Sequence, residues 1–253
     1  MANKGHTFSY VITAALTAGQ KTQVSIITEA DSTFLVERMY ARYIRDFKVQ
    51  FTDSVFNYKW SNLPVYAANI FGTPEFPAKI LDPIALPPST ELLVDLENLD
   101  AVNPSDIEIV LEGWRIYAPV ALSTRRWYQY VKNTVLPASD VVSDSLQING
   151  DSDFLIKKLI ARKDGEASLR MASTEMAGRY LTSQFIQLSN QFGRAILPNI
   201  IAHPLKLGRL TLLQYEMRNL TAASNTVQLC FEGVKMWGSQ TAAEEITPAM
   251  ARR

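Results

Sequence analysis

Asp31-Ser32-Thr33-Phe34-Leu35-Val36 returns 120 positions later as Asp151-Ser152-Asp153-Phe154-Leu155-Ile156. The same spacing sets Arg38 against Lys158, Met39 against Leu159, Ala41 against Ala161 and Arg42 against Arg162. Further along, Asp82-Pro83-Ile84-Ala85-Leu86 meets His203-Pro204-Leu205-Lys206-Leu207, now 121 apart, and Asn98-Leu99 meets Asn219-Leu220 at the same distance. The spacing returns to 120 where Leu111-Glu112-Gly113-Trp114-Arg115-Ile116-Tyr117 meets Phe231-Glu232-Gly233-Val234-Lys235-Met236-Trp237. The lead-in agrees, with Phe8-Ser9-Tyr10-Val11 opposite Tyr128-Gln129-Tyr130-Val131. A single such match would be a coincidence of apolar rhythm, but an ordered series drifting by one residue is an internal duplication. Two copies are too few for a solenoid, which needs about three repeats or more. The expectation is two similar globular domains, 1–120 and 121–238, followed by a tail or arm at 239–253.

Within each copy the apolar residues alternate with period two, the mark of half-buried strands. Thr22-Gln23-Val24-Ser25-Ile26-Ile27, Phe47-Lys48-Val49-Gln50-Phe51 and Leu92-Leu93-Val94-Asp95-Leu96-Glu97 all read this way. The loop Asn98 to Asp106 is rich in turn formers and recurs as Asn219 to Asn225. Six prolines between Trp60 and Ser89 exclude a central strand or long helix there and suggest extended connections across one end of a sandwich. Short helical turns are expected at Ser54–Trp60 and Thr174–Gln191, the second carrying a stripe of Met176, Tyr180, Leu181 and Phe185. The predicted fold class is all-β: two tandem antiparallel β-sandwich, jelly-roll-like domains with few short helices.

Composition narrows the function classes. The 253 residues carry 25 Lys+Arg and 25 Asp+Glu, so there is no basic excess for non-specific nucleic-acid binding. The one cysteine, Cys230, forbids an intrachain disulfide framework and sits in an alternating strand as a buried thiol would. No apolar run approaches the ~20 residues of a membrane span, and Met1 to His6 lack the apolar core of a signal peptide. These features predict a soluble chain made in a reducing compartment. Only His6 and His203 are available as neutral-pH bases, and no Cys/His cluster has ligand spacing. The repeated Asp-Ser pairs lack the further oxygens that calcium needs and read as turns or caps. The reading is of a non-enzyme with no cofactor, no metal and no catalytic residue.

Two stretches are candidates for partner contact. One is the aromatic and basic strand after each Glu-Gly pair, with Trp114, Arg115 and Tyr117 in the first copy and Lys235 and Trp237 in the second. The other is Arg125-Arg126-Trp127-Tyr128-Gln129-Tyr130, which joins the copies and is read more simply as junction packing than as a stacking platform. The glycines after Glu112 and Glu232 read as bulge markers. Trp60, Trp114, Trp127, Trp237 and ten tyrosines also admit a tandem carbohydrate-binding module.

The Pro-rich connection Phe71-Gly72-Thr73-Pro74-Glu75-Phe76-Pro77, with Asp82 to Pro87 and the closing Glu112 to Tyr117, resembles β-sandwich structural proteins of bacteriophage virions. These are proteins of the head, its decoration, or the collar and tail junction. The resemblance covers roughly 60–118 and 190–238 and implies action through surfaces, so no functional residue carries over. Copy two departs by keeping only Pro198 and Pro204. The double jelly-roll major capsid proteins of tailless phages are the nearest alternative. Implied partners are other virion proteins and copies of the chain itself, with no specific nucleic acid and no membrane. The implied location is the virion, after synthesis in the host cytoplasm.

Overall fold

The computed structural model describes residues 5–117 and 124–237. The connection at 118–123 and the expected tail at 239–253 lie outside the described residues, as does the side chain of Met176.

The first half contains β1 (Gly5–Leu16), β2 (Lys21–Ile27), β3 (Thr33–Tyr43), β4 (Phe47–Asp53), the two-residue β5 (Tyr58–Lys59) and β6 (Val65–Tyr66), α1 (Ala67–Ile70), β7 (Ala78–Leu86), β8 (Glu91–Asn98) and β9 (Ser105–Ile116). The second half repeats the order in β10 (Arg125–Leu136), β11 (Val141–Gln147), β12 (Asp153–Lys163), β13 (Ala167–Ser173), β14 (Ile186–Gln187), α2 (Leu188–Gln191), β15 (Asn199–Leu207), β16 (Leu212–Asn219) and β17 (Asn225–Met236). Four sheets result, ordered β1-β9-β3-β7 and β2-β8-β4-β5 in the first half, β10-β17-β12-β15 and β11-β16-β13-β14 in the second. Long strands next to each other in sequence fall in opposite sheets, which is jelly-roll winding, and the pairings between these strands are antiparallel. The protein is a pair of jelly rolls, and their registers are superimposable: Gly5 faces Ile116 as Arg125 faces Met236, 120 residues on at both ends.

The inward side chains of each copy fill its sandwich, as alternation requires. Phe34, Val49, Phe51, Leu92, Leu96 and Leu111 are buried in the first, and their counterparts Phe154, Leu169, Met171, Leu213, Met217 and Phe231 in the second. The repeated Asn98 and Asn219 are buried amides that hold the turn behind them. Asn98 donates to the carbonyls of Thr17 at 3.0 Å and Asn103 at 2.9 Å, and Asn219 to those of Pro137 and Ala223 at 2.8 Å.

Three local expectations are corrected. The Pro-rich span is not connection alone, because it contains β7, an edge strand. Pro83 is tolerated since Ile80 to Pro83 stand outside the ladder between the pairs Val36–Ile84 and Arg38–Lys79, where a missing N–H costs nothing; Pro204 repeats this in β15. The helical turn expected over Ser54–Trp60 is a reverse turn closed by Asp53, whose Oδ1 accepts from Val55 N at 2.9 Å, with Asn57 left-handed at φ 46°. Over Thr174–Gln191 helix is confined to a 3-10 turn at Thr174–Met176 and to α2, because Ala177 and Gly178 take φ of 54° and 73° and turn the chain out of the helix.

The Glu-Gly pairs do sit at bulges, but the bulge lies on the facing strand. Val36 faces Gly113 and Arg38 faces Glu112, which leaves Glu37 as the extra residue; Lys157 is extra opposite Gly233 and Glu232. The bulge pushes the Leu35 and Leu155 carbonyls into the space a Cβ would occupy at Gly113 and Gly233. Gly233→Ala is therefore expected to lower unfolding stability by on the order of 3 kcal/mol, read by guanidinium denaturation; an unchanged midpoint would refute this steric account.

Candidate subunit-contact surface

The outer face of the second jelly roll's sheet β10-β17-β12 is not exposed. The core of the first jelly roll runs on into Trp127, Val131, Ile160 and Cys230, all from that face. The covering side chains come from the stretch between β4 and β7. Trp60 meets Trp127 edge to face, with centroids 5.9 Å apart. The chain beside Trp60 acts as a fragment of strand along β10: Gln129 N donates to Trp60 O at 2.9 Å, Val131 N to Asn62 Oδ1 at 2.6 Å, and Asn62 Nδ2 back to Val131 O at 3.0 Å. The free edge of β10 is thereby satisfied.

Polar groups set the register of this junction. Gln228 on β17 accepts from Tyr66 N at 2.9 Å and Asn69 Nδ2 at 3.0 Å, and donates to Pro64 O at 3.3 Å. Lys158 and Glu232 form a buried ion pair at 2.6 Å, joined by Gln129 Nε2 and by the Lys79 carbonyl, which accepts from Lys158 Nζ. At its margin Lys157 pairs with Asp82 at 2.9 Å, and Arg162 with Asp46 at 3.0 Å. Burial pushes the Cys230 thiol far above its ordinary range, against a lowering hydrogen bond from Asn69, so it is held as an inert thiol.

The eight residues read as partner contacts divide across the molecule. Trp114 (40% exposed) and Tyr117 (44%) stand on the surface of the first jelly roll. Alternation turns Arg115 to the side opposite Trp114, where its guanidinium lies 5.2 Å from the Phe8 ring centroid and 5.4 Å from that of Tyr117. Its Nη2 meets Asp31 Oδ1 at 2.9 Å and its Nε donates to Ser32 at 2.7 Å. Lys235, the counterpart, is 3% exposed and meets Asp151 at 2.9 Å. The hydrogen bond from Arg115 holds Asp31 below the usual carboxylate range; in Asp151 the Lys235 ammonium outweighs an opposing desolvation. The repeated Asp-Ser pairs thus tie the loop before β3 or β12 to the closing strand.

Arg126, Trp127 and Trp237 belong to the internal junction, and Arg125 lines the same cleft. The Arg126 guanidinium lies 3.6 Å from the Phe56 ring centroid and 5.8 Å from that of Trp237. Trp127 is 4% exposed. Trp127, in the stretch read as junction packing, and Lys235 are both buried within the chain. Sequence reasoning missed Asn62 and Asn69, which lie in the loop and short helix between β4 and β7, and Lys158, Gln228 and Glu232, whose polar character on alternating strands suits a solvated face. The available signal lay between the copies, where Thr7, Ser9, Tyr40 and Glu108 become Trp127, Gln129, Ile160 and Gln228.

Among the described residues no group of three or more His, Cys, Asp or Glu is placed to hold a metal ion, and no helix is long and apolar enough to cross a membrane. No family model matches the chain, and no curated protein matches it. Solved structures similar to it include the major capsid protein P2 of bacteriophage PM2, at 10% identity and TM-score 0.45, covering 90% of this chain and 99% of that one. N-glycanase F, an enzyme, is similar at 10% identity and TM-score 0.42, covering 92% and 99%. A triple jelly-roll turret protein of an archaeal virus is similar at 10% identity and TM-score 0.29, covering 89% and 59%.

Two outcomes test the junction. Lys158→Met leaves Glu232 buried without its cation and is expected to cost about 3–5 kcal/mol, most of it recovered in Lys158→Met/Glu232→Leu; denaturation of the three proteins compares them, and an undisturbed single variant would show that the pair is not buried. Cys230 should resist Ellman's reagent in the native protein and react fully in guanidinium. Rapid native labelling would mean that the two jelly rolls separate in solution.

Proposed function

We propose that this chain is a non-enzymatic structural component of a bacteriophage virion, acting through contacts with copies of itself and with other virion proteins. The observation that carries the reading is an asymmetry. The outer face of β10-β17-β12 is sealed by the neighbouring jelly roll, whereas the matching face of β1-β9-β3 stands open, with Val11 52% and Trp114 40% exposed. A chain that holds one copy of an interface and leaves the matching surface unfilled has the form of an assembly unit.

The finer reading is a shell subunit of the double jelly-roll type, in preference to a decoration or collar protein. Both halves keep their seven long strands in the same order, so each is equipped for one of two near-equivalent positions in a lattice. On this reading the protein is made in the host cytoplasm and resides in the particle. A tandem carbohydrate-binding module has less support, since Trp60 and Trp127 pack on one another in the junction and offer no platform to a sugar.

Purified particles examined by quantitative mass spectrometry, with electron microscopy of the isolated protein, test the reading. The expected result is a high-copy particle component that self-associates. Absence from particles would overturn it.

A further inference from the structure

We propose that the open face of β1-β9-β3 is the seat of a second copy of this chain, which docks there the Leu181–Gln191 segment and strand β15 of its second jelly roll. The contact would reproduce, between molecules, the junction already present inside one. The inference rests on reading the chain as an assembly unit and goes further by naming both surfaces and their order.

The receiving face matches the sealed one residue for residue, 120 positions earlier. Thr7, Ser9 and Val11 of β1 stand where Trp127, Gln129 and Val131 stand in β10; Glu108, Val110, Glu112 and Trp114 of β9 stand where Gln228, Cys230, Glu232 and Val234 stand in β17. The buried Lys158–Glu232 pair has its counterpart in Arg38–Glu112, at 2.8 Å, with Arg38 still 48% exposed. The equivalent ion pair is thus already made and awaits its cover.

The inserting surface matches in the same way. Trp60 N donates to Phe51 O, and Leu181 N to Met171 O. The Ser61 hydroxyl donates to Leu63 O, and that of Thr182 to Gln184 O. Short helices follow at Ala67–Ile70 and Leu188–Gln191. In the first copy this surface is spent on the junction and Asn69 is fully buried. In the second the corresponding Asn190 is exposed, and on β15 Ile200 is 57% exposed where Lys79 lends its carbonyl to the junction.

What selects a second copy as occupant is that both sides of the contact change together. Lys157–Asp82 inside the chain becomes Glu37 on the open face and His203 on the inserting side, so a carboxylate acceptor again meets an N–H donor, with the two roles exchanged between the sides. Arg162–Asp46 becomes Arg42 and Glu166, so the pairing persists with a longer acid. The Asn69 amide donating to Gln228 becomes Asn190 facing Glu108, again donor to acceptor. A face shaped for an unrelated partner has no reason to preserve these three matches. Because the two patches differ, the contact is heterologous, and it closes into a ring or continues as an open chain according to the rotation it imposes.

The full chain tests this by a charge-exchange mixture. The face variant is Glu37→Lys/Arg42→Glu and the insert variant is Glu166→Arg/His203→Glu; all four positions are exposed, and circular-dichroism melts of each variant verify folding. By sedimentation velocity the unaltered chain should associate, and each variant alone should associate roughly tenfold or more weakly, since like charges then meet between positions 42 and 166 in both variants and also between 37 and 203 in the insert variant. An equimolar mixture should recover association, because every contact in an alternating array pairs opposite charges. Monomers of the unaltered chain at all concentrations, variants that associate normally, or a mixture that fails to recover would each overturn the contact. Failure of the virion reading looks different: association follows this pattern while the chain is absent from particles.

Discussion

Strands β10, β17 and β12 bury most of both their faces, one against their own sandwich and one against the first jelly roll, and the rest of the structure is arranged around that double burial. An antiparallel sheet of a sandwich normally leaves one side to water and fills it with polar residues. Here the second side carries Trp127, Val131, Ile160 and Cys230 among Gln129, Gln228, Lys158 and Glu232. The apolar members give the junction its burial free energy. The polar ones admit a single alignment, because a slip of either jelly roll would strand a buried amide or charge at a cost of about 1–3 kcal/mol or more. Orientation between the halves is therefore set by the chemistry of the junction.

The same reasoning explains which residues the duplication has kept. Gly113 and Gly233 are kept because a bulge crosses in front of each. Asn98 and Asn219 are kept because a buried amide closes the turn after β8 or β16. Asp31 and Asp151 are kept because a cation from the closing strand reaches back to them, although that cation is arginine in one copy and lysine in the other. Tyr10 and Tyr130 each accept a backbone N–H from the loop before the third strand, at 3.1 and 2.9 Å. Every one of these serves the jelly roll itself. Core positions keep their burial while exchanging one apolar residue for another, as Phe51 for Met171 and Leu111 for Phe231, and the outer face and what covers it differ as well.

That division governs what was legible in the sequence. Alternation, turn residues and the repeated segments expose the two-jelly-roll architecture, since those signals are local or are written twice. The edge strand β7 was hidden by its prolines, because a rule about ladder donors fails where Ile80 to Pro83 leave the ladder. Lys235 is buried for a simpler reason: an aromatic and basic strand reads as one surface, but neighbouring side chains point to opposite faces, so Trp114 turns outward while Arg115 and its counterpart Lys235 turn toward Asp31 and Asp151. The junction was least legible. Gln228 and Glu232 have the polarity of solvated positions, and only contact with Asn69 and Lys158, distant in the chain, shows that they are covered.

Covering one face also changes what duplication accomplishes. Two identical jelly rolls meeting through different patches would be equivalent at both ends, free to add neighbours of either kind. Joined in one chain, they are free to diverge where one contact is intramolecular and the other is not. The internal contact has gained Trp127 against Trp60 and lost the Glu108 carboxylate in favour of Gln228, as suits a permanent interface. The open face keeps Thr7, Ser9, Glu37, Arg42 and Glu108, a composition suited to water. On the proposed assembly, the difference between the two faces is the one expected between a contact formed once, at folding, and a contact formed later.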